Sequence, residues 1–121
     1  MKLVGQAKKD FEKWVFENVK HYTTKKPKFG VNTMEFEFNS EFYILPPSMQ
    51  YGVIVDWFDS VGIEIFVKGF KFPALDKKEY YFIITDSIMC HLNNHLENRT
   101  ETRTQARQKA IERANEIYNN R

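Results

Sequence analysis

The hydrophobic positions of this chain change period several times, and each change marks an element. From about Leu3 to Tyr22, Ala7, Phe11, Trp14, Val15, Val19 and Tyr22 recur at helical spacing, with Lys8, Lys9, Glu12 and Lys13 on the solvated side. The Thr23–Lys28 run ends this helix, because Pro27 disfavours helical geometry at Lys26 and cannot continue the ladder. From Thr33 to Phe38 the period drops to two. Met34, Phe36 and Phe38 point one way and Glu35 and Glu37 the other, the pattern of a half-buried strand. Phe42 and Ile44 extend that period as a second hairpin strand, and the prolines at 46 and 47 stop it.

Residues 48–61 support two readings. Ser48 caps a helix running through Val61, with Met49, Val53, Ile54, Trp57, Phe58 and Val61 inward and Gly62 at the C′ position. As a strand, Tyr51, Val53, Val55 and Trp57 alternate, and Asp59-Ser60-Val61-Gly62 becomes a hairpin connection. The helix explains both ends together, whereas the β-branched content favours the strand. Ile63, Ile65 and Val67 then define a strand, and Phe70, Phe72 and Pro73 lead into a turn around Ala74–Lys78. Tyr80–Thr85 is so continuously apolar that it suits a central strand covered on both faces. Residues 87–97 read either as a short helix bearing Ile88, Met89, Leu92 and Leu96 or as a hairpin strand turning at Asn93-Asn94.

The last helix has the sharpest local signal. Thr102-Arg103-Thr104-Gln105 is a capping box, followed at helical spacing by Ala106, Ala110, Ile111, Ala114, Ile117 and Tyr118. Its alanines let it lie close against a sheet. Together these elements predict an α+β fold: a mostly antiparallel, three- to five-stranded sheet packed by N-terminal and C-terminal helices, with a further central helix if 48–61 is helical. At 121 residues the chain fits a single compact domain, 1–121, large enough to bury a core.

Composition makes that core aromatic, with eleven Phe, six Tyr and two Trp. The total charge of +2 hides a division. Residues 1–28 hold eight Lys against three acids (+5), residues 29–67 six acids and no base (−6), and residues 68–121 ten bases against seven acids (+3). An acidic middle between basic ends differs from the uniform basicity of many nucleic-acid binders. No apolar run is long enough to span a bilayer or to serve as a signal peptide, and Cys90 has no internal disulfide partner. Cytoplasm is the expected compartment.

Catalytic signatures are missing from the pattern. Cys90, His91 and His95 are the densest potential metal ligands, but in a helix only the two histidines share a face, and His21 is the sole other histidine. Asp56, Asp59 and Glu64 do not by spacing define a shared pocket. Ser48 lacks a nucleophile elbow, and the five glycines are too scattered for a phosphate loop. No catalytic residue, metal ligand or cofactor site is therefore assigned.

Two surfaces remain as candidates. Trp57, Phe58, Phe70 and Phe72 offer an aromatic patch for a protein partner or a homo-oligomer, because a small sheet has difficulty hiding so many rings. Lys25, Lys26 and Lys28 on a loop, with Arg99, Arg103, Arg107 and Lys109 near the last helix, are the candidate nucleic-acid contacts. Arg107 also has a structural reading, its alkyl stem lying over the core edge. The stretch Thr102-Arg103-Thr104-Gln105-Ala106-Arg107-Gln108-Lys109-Ala110 resembles the basic, alanine-containing start of the last helix in double-stranded-RNA-binding domains. That resemblance implies a helix–strands–helix order and phosphate contacts from Arg103, Arg107 and Lys109. The segment Tyr51–Val61 departs from the family's minimal pattern. The chain as a whole also resembles small uncharacterised bacterial or phage proteins, which implies no activity. The leading expectation is a small non-enzymatic interaction or structural protein, with nucleic-acid binding second and an enzyme of unrecognised site third.

Overall fold

In the computed structural model, residues 2–18, 42–71, 78–87, 91–92 (backbone) and 99–121 are described. Among the described residues the elements are, in chain order, α1 (Gly5–Asn18), α2 (Pro47–Ser60), β1 (Ile63–Lys71), β2 (Lys78–Asp86), β3 (His91–Leu92), β4 (Arg99–Thr100) and α3 (Arg103–Asn119). β1 and β2 pair antiparallel without a break in register, from Ile63 opposite Asp86 to Lys71 opposite Lys78. The other side of β2 is taken by β3, with Leu92 opposite Thr85, and by β4, with Thr100 opposite Tyr80. Among the described residues the sheet thus has three strand positions with β2 in the middle. The α+β architecture, with an antiparallel sheet packed by N- and C-terminal helices, is the one the periodicity predicts.

The helices cover one face of that sheet. Ile63, Ile65, Phe82 and Ile84 point into a core shared with Ala7, Phe11 and Val15 of α1, Ile54, Trp57 and Phe58 of α2, and Ala110, Ile111 and Ala114 of α3. α3 lies against β1 and β2 and touches both other helices, a position its buried alanines allow by keeping the axis close to the strands. β2 is central, as expected, but it is not covered equally on both faces. Phe82, Ile84 and Asp86 are buried, whereas Tyr81, Ile83 and Thr85 on the opposite face are only partly so.

Residues 47–60 are helical. The helix begins two residues earlier than a Ser48 cap predicts: Pro46 is the N-cap, without a side-chain cap bond, and Pro47 takes N1. Proline suits N1 because its fixed φ is already helical and its absent N–H would have had no intrahelical partner. Gly62 does occupy the position after the Val61 C-cap, with φ +87°, a left-handed conformation that glycine adopts without a Cβ clash. The expected inner face is corrected at its ends. Met49 is exposed, while Gln50 is buried and donates from Nε2 to the Tyr43 and Leu45 carbonyls at 3.0 and 2.8 Å. Phe42 and Ile44 do not extend a strand. Phe42 sits in a helical turn whose carbonyl accepts from the Leu45 amide, its ring fully buried, and Ile44 is exposed. His91 and Leu92 follow the strand reading of their segment. The expected strand 33–38 and the helical residues after Asn18 lie outside the described residues.

The aromatic core is built edge-on. Phe11 contacts Phe42 and Trp57 at centroid distances of 5.3 and 5.6 Å, and Tyr118 reaches Trp57 at 5.0 Å. Offset and tilted rings suit the aromatic quadrupole, so these contacts add to simple burial.

Around this core, polar side chains of α3 tie the two ends of the chain together. Asn115 Oδ1 accepts from the Val4 amide at 2.9 Å, and Asn119 Oδ1 accepts from the Ala7 amide at 2.8 Å. Asn119 Nδ2 also donates to the Val4 carbonyl, and the Tyr118 hydroxyl donates to Asp10 at 2.7 Å. The orphan amides at the start of α1 are therefore capped from another helix. Beyond α3, Arg121 donates to the Val61 carbonyl and forms a 2.9 Å ion pair with buried Asp86.

Candidate interaction surface

Side chains alternate along β1, and its continuous register with β2 places opposed residues on one face. The face away from the helices therefore carries Glu64, Phe66, Lys68 and Phe70 from β1, opposite Thr85, Ile83, Tyr81 and Glu79 of β2. Phe66 is 55% exposed and lies opposite half-buried Ile83. Phe70 packs edge-on against Tyr81 at 5.4 Å, and Arg99 closes the far end with a 3.4 Å ion pair to Glu79. This is an apolar stripe flanked by charges of both signs. Phe66 interrupts the polar phase of the alternation Ile63-Glu64-Ile65-Phe66-Val67-Lys68. That misplaced aromatic is the sequence signal by which the surface was legible, and the patch drawn from aromatic content alone missed it.

Of that expected patch, Trp57 and Phe58 belong to the core, 2% and 0% exposed, and present no contact surface. They occupy the α2 face that meets α1 and the sheet, where burying a large ring is worth more than leaving it in water. Phe70 does lie on the outer sheet face, half-buried, and Phe72 falls outside the described residues.

The basic candidates divide similarly. Lys25, Lys26 and Lys28 lie outside the described residues. Arg103 and Arg107, one turn apart on α3, stack their guanidinium groups over Tyr80 at 5.1 Å and Tyr51 at 4.8 Å. Lys78 approaches the same Tyr80 ring at 5.6 Å, and that ring lies over Gly69, where a Cβ would meet it at 2.9 Å. Cation–π contact explains why Arg107 is half-buried without a carboxylate partner among the described residues. Burial raises the Tyr51 hydroxyl pKa, and Arg107 and Arg103 pull it partly back. Lys109 is exposed and points away from the Arg103–Arg107 row, so it does not join this group. A cleft of about 370 Å³ at the start of α3 is lined by Lys78, Glu79, Arg99, Thr100, Glu101 and Thr102. Its charges are mixed. Thr102 uses its own hydroxyl to accept from the Gln105 amide at 3.2 Å, completing the capping box.

No protein-family model, curated protein or solved structure matches this chain. Asp56, Asp59 and Glu64 come near one another at the end of α2 and the start of β1. Burial, then Glu64 and Asp56, push the Asp59 carboxyl above its ordinary pKa. The Tyr43 hydroxyl is raised too, by burial and by Glu12, to which it donates at 3.0 Å. Cys90 and His95 lie outside the described residues, and among the described residues no three His, Cys, Asp or Glu side chains gather as metal ligands. No described helix is long and apolar enough to cross a membrane.

Proposed function

We propose that this protein is a small non-enzymatic interaction or structural protein that engages a protein surface through the outer face of its sheet. The observation that carries this reading is Phe66, exposed beside half-buried Ile83 and with Glu64 and Lys68 on either side of it along β1. An exposed aromatic bordered by charges has the anatomy of a contact patch: an apolar anchor and a polar rim. Photo-crosslinking tests it. A benzophenone amino acid at position 66 is expected to give protein adducts, identified by mass spectrometry, while the same group at exposed Gln108 gives none. Equal yields at the two positions would overturn the reading.

Nucleic-acid binding is the second reading, supported by Arg103 and Lys78 gathered on the Tyr80 ring. It calls for association with short duplexes that weakens as salt rises and on changing Arg103 and Arg107 to Gln. Failure to bind duplex or single strands at low salt removes it. The acids Glu79 and Glu101 in the adjoining cleft oppose phosphate there, which is why the sheet face ranks first.

A further inference from the structure

We propose that Arg103, Arg107 and Lys78, held on the rings of Tyr51 and Tyr80, form a binding site for a single phosphate group, free or as a terminal ester. Lys78 and Tyr80 are in phase with buried Phe82 and Ile84 along β2, so the site lies on the helix side of the sheet, away from Phe66. It shares residues with the nucleic-acid reading but names a smaller ligand, and the experiment below separates the two. The five arginines of the chain fall into two groups. Arg99, Arg113 and Arg121 each pair with a carboxylate, at 3.4, 2.9 and 2.9 Å. Arg103 and Arg107 pair with none among the described residues and lie over tyrosine rings instead. A ring orients a guanidinium but brings no net negative charge to it. Arg107 buries its Nε without a hydrogen-bond partner among the described residues, which leaves its two Nη groups as the donors a ligand can reach.

The seats bring the three cations together. Arg103 and Lys78 share the Tyr80 ring, 5.1 and 5.6 Å from its centre. Arg107 lies 4.8 Å from the centre of Tyr51. Both guanidinium groups act on the Tyr51 hydroxyl: burial raises its pKa, Arg107 and Arg103 lower it, and among the described residues no carboxylate acts on it. The field around that hydroxyl is therefore positive. Tyr80 is fixed from below by Gly69, opposite it on β1. A Cβ at position 69 would come within 2.9 Å of both the ring and the Lys78 Cε, so ring and lysine stem lie directly on the strand backbone. Like charges one turn apart destabilise a helix, and an anion bound between Arg103 and Arg107 relieves that repulsion.

The donors select the ligand. A phosphate ester carries three terminal oxygens and about −1.5 to −2 charges at neutral pH, enough to accept from two guanidinium forks and from an ammonium or hydroxyl as well. A carboxylate has two oxygens and one charge, and a single fork satisfies it. A long polyanion fits less well. The cleft adjoining Lys78 also holds Glu79 and Glu101, and a phosphodiester chain continuing that way would run onto carboxylates. A single phosphate group has no such extension.

Calorimetric titration and NMR of the full chain at low ionic strength test the site, with inorganic phosphate, phenyl phosphate and a short DNA duplex as probes. Saturable binding of phosphate is expected, with shifts of the Arg103 and Arg107 Nε–Hε resonances. Arg103→Gln and Arg107→Lys are each expected to weaken it about tenfold, the second because an ammonium keeps the charge but loses the fork. Tyr51→Phe keeps the ring, loses the hydroxyl and is expected to weaken binding about threefold. Lys109→Gln removes an exposed charge of α3 outside the row and is expected to leave binding unchanged. Circular dichroism checks that each variant folds, and Arg103, being exposed, is the substitution least able to disturb the core. Phenyl phosphate binding at least as tightly as inorganic phosphate supports the site and assigns it to an ester; inorganic phosphate binding alone supports it and assigns it to the free anion. No saturable binding of either overturns the proposal, as does equal weakening by Lys109→Gln, the mark of diffuse charge. A duplex that binds more tightly than both small phosphates, and is lost with the same variants, overturns it in favour of the nucleic-acid reading. If the small phosphates bind and the duplex does not, that reading falls and the site stands.

Discussion

Asp59 shows how a single exposed residue is read through its neighbours. Its carboxyl is raised by burial first and then by Glu64 and Asp56, so the folded state holds its proton more tightly than the unfolded chain does. Stability from this group is therefore greatest below the ordinary carboxylate range. It declines as pH rises from that range through the raised folded value. Asp59→Asn removes the penalty without changing shape. The variant is expected to have a higher urea midpoint than the parent at about pH 7 and the same midpoint at about pH 3. An equal difference at both values would mean that charge is not the cause. The same three carboxylates were visible in the sequence, but their spacing across a helix end and a glycine turn gives no distance. Only the fold brought them within reach of one another.

At the scale of elements, α3 carries the most decisive test, because its capping and its packing are both explicit. Thr102 and Gln105 satisfy each other's backbone amides at 3.2 Å, so Thr102→Ala is expected to cost about 1 kcal/mol. Ala110 is fully buried where α3 meets the core, and Ala110→Glu must desolvate a charge and displace its neighbours, a loss on the order of 3 kcal/mol. Gln108 is exposed and reaches Glu112 only at 3.5 Å, so Gln108→Ala is expected to change stability by less than about 0.5 kcal/mol. Urea titration of the three variants gives that order, and an Ala110→Glu as mild as Gln108→Ala would refute the packing. This helix was legible because a cap and a 3.6-residue period are local: each links residues within four positions. α2 was harder. Its β-branched residues suit a strand equally well, and its start was set by the prolines, whose rigid φ outweighed the side-chain cap offered by Ser48.

The whole molecule is closed by contacts across its length. Asn119 caps the Ala7 amide and donates to the Val4 carbonyl, joining the last turn of α3 to the first of α1. Asn119→Ala is expected to cost about 1.5 kcal/mol, since two backbone groups lose their partner at once. Asn119→Asp keeps the acceptor, places a negative charge at a helix N-terminus, and is expected to recover part of the loss. Amide hydrogen exchange separates this from a general weakening: protection is expected to fall first at the start of α1. Uniform loss over the sheet as well would show that α1 does not open alone. The division of charge along the chain has a counterpart at this scale. Folding buries Asp86 against Arg121 and stacks Arg103 and Arg107 on tyrosines, so much of the C-terminal basic charge is already engaged within the molecule.

The sequence by itself determined the elements whose causes are short-ranged. The two amphipathic helix faces follow from their period, the α3 start from its capping box, the phase of β1 from its alternation, and the end of α2 from Gly62. The tertiary structure decided which apolar residues were interior. Trp57 and Phe58 went to the core, although aromatic content offered them as a surface patch. It also decided that Asn115 and Asn119 serve the backbone of a helix more than a hundred residues away, and that the tyrosines Tyr51 and Tyr80 serve as seats for arginines. The reason is the range of the forces involved. Caps and periods act between residues near in sequence, whereas burial depends on which faces meet, and that is settled only when all the elements pack together.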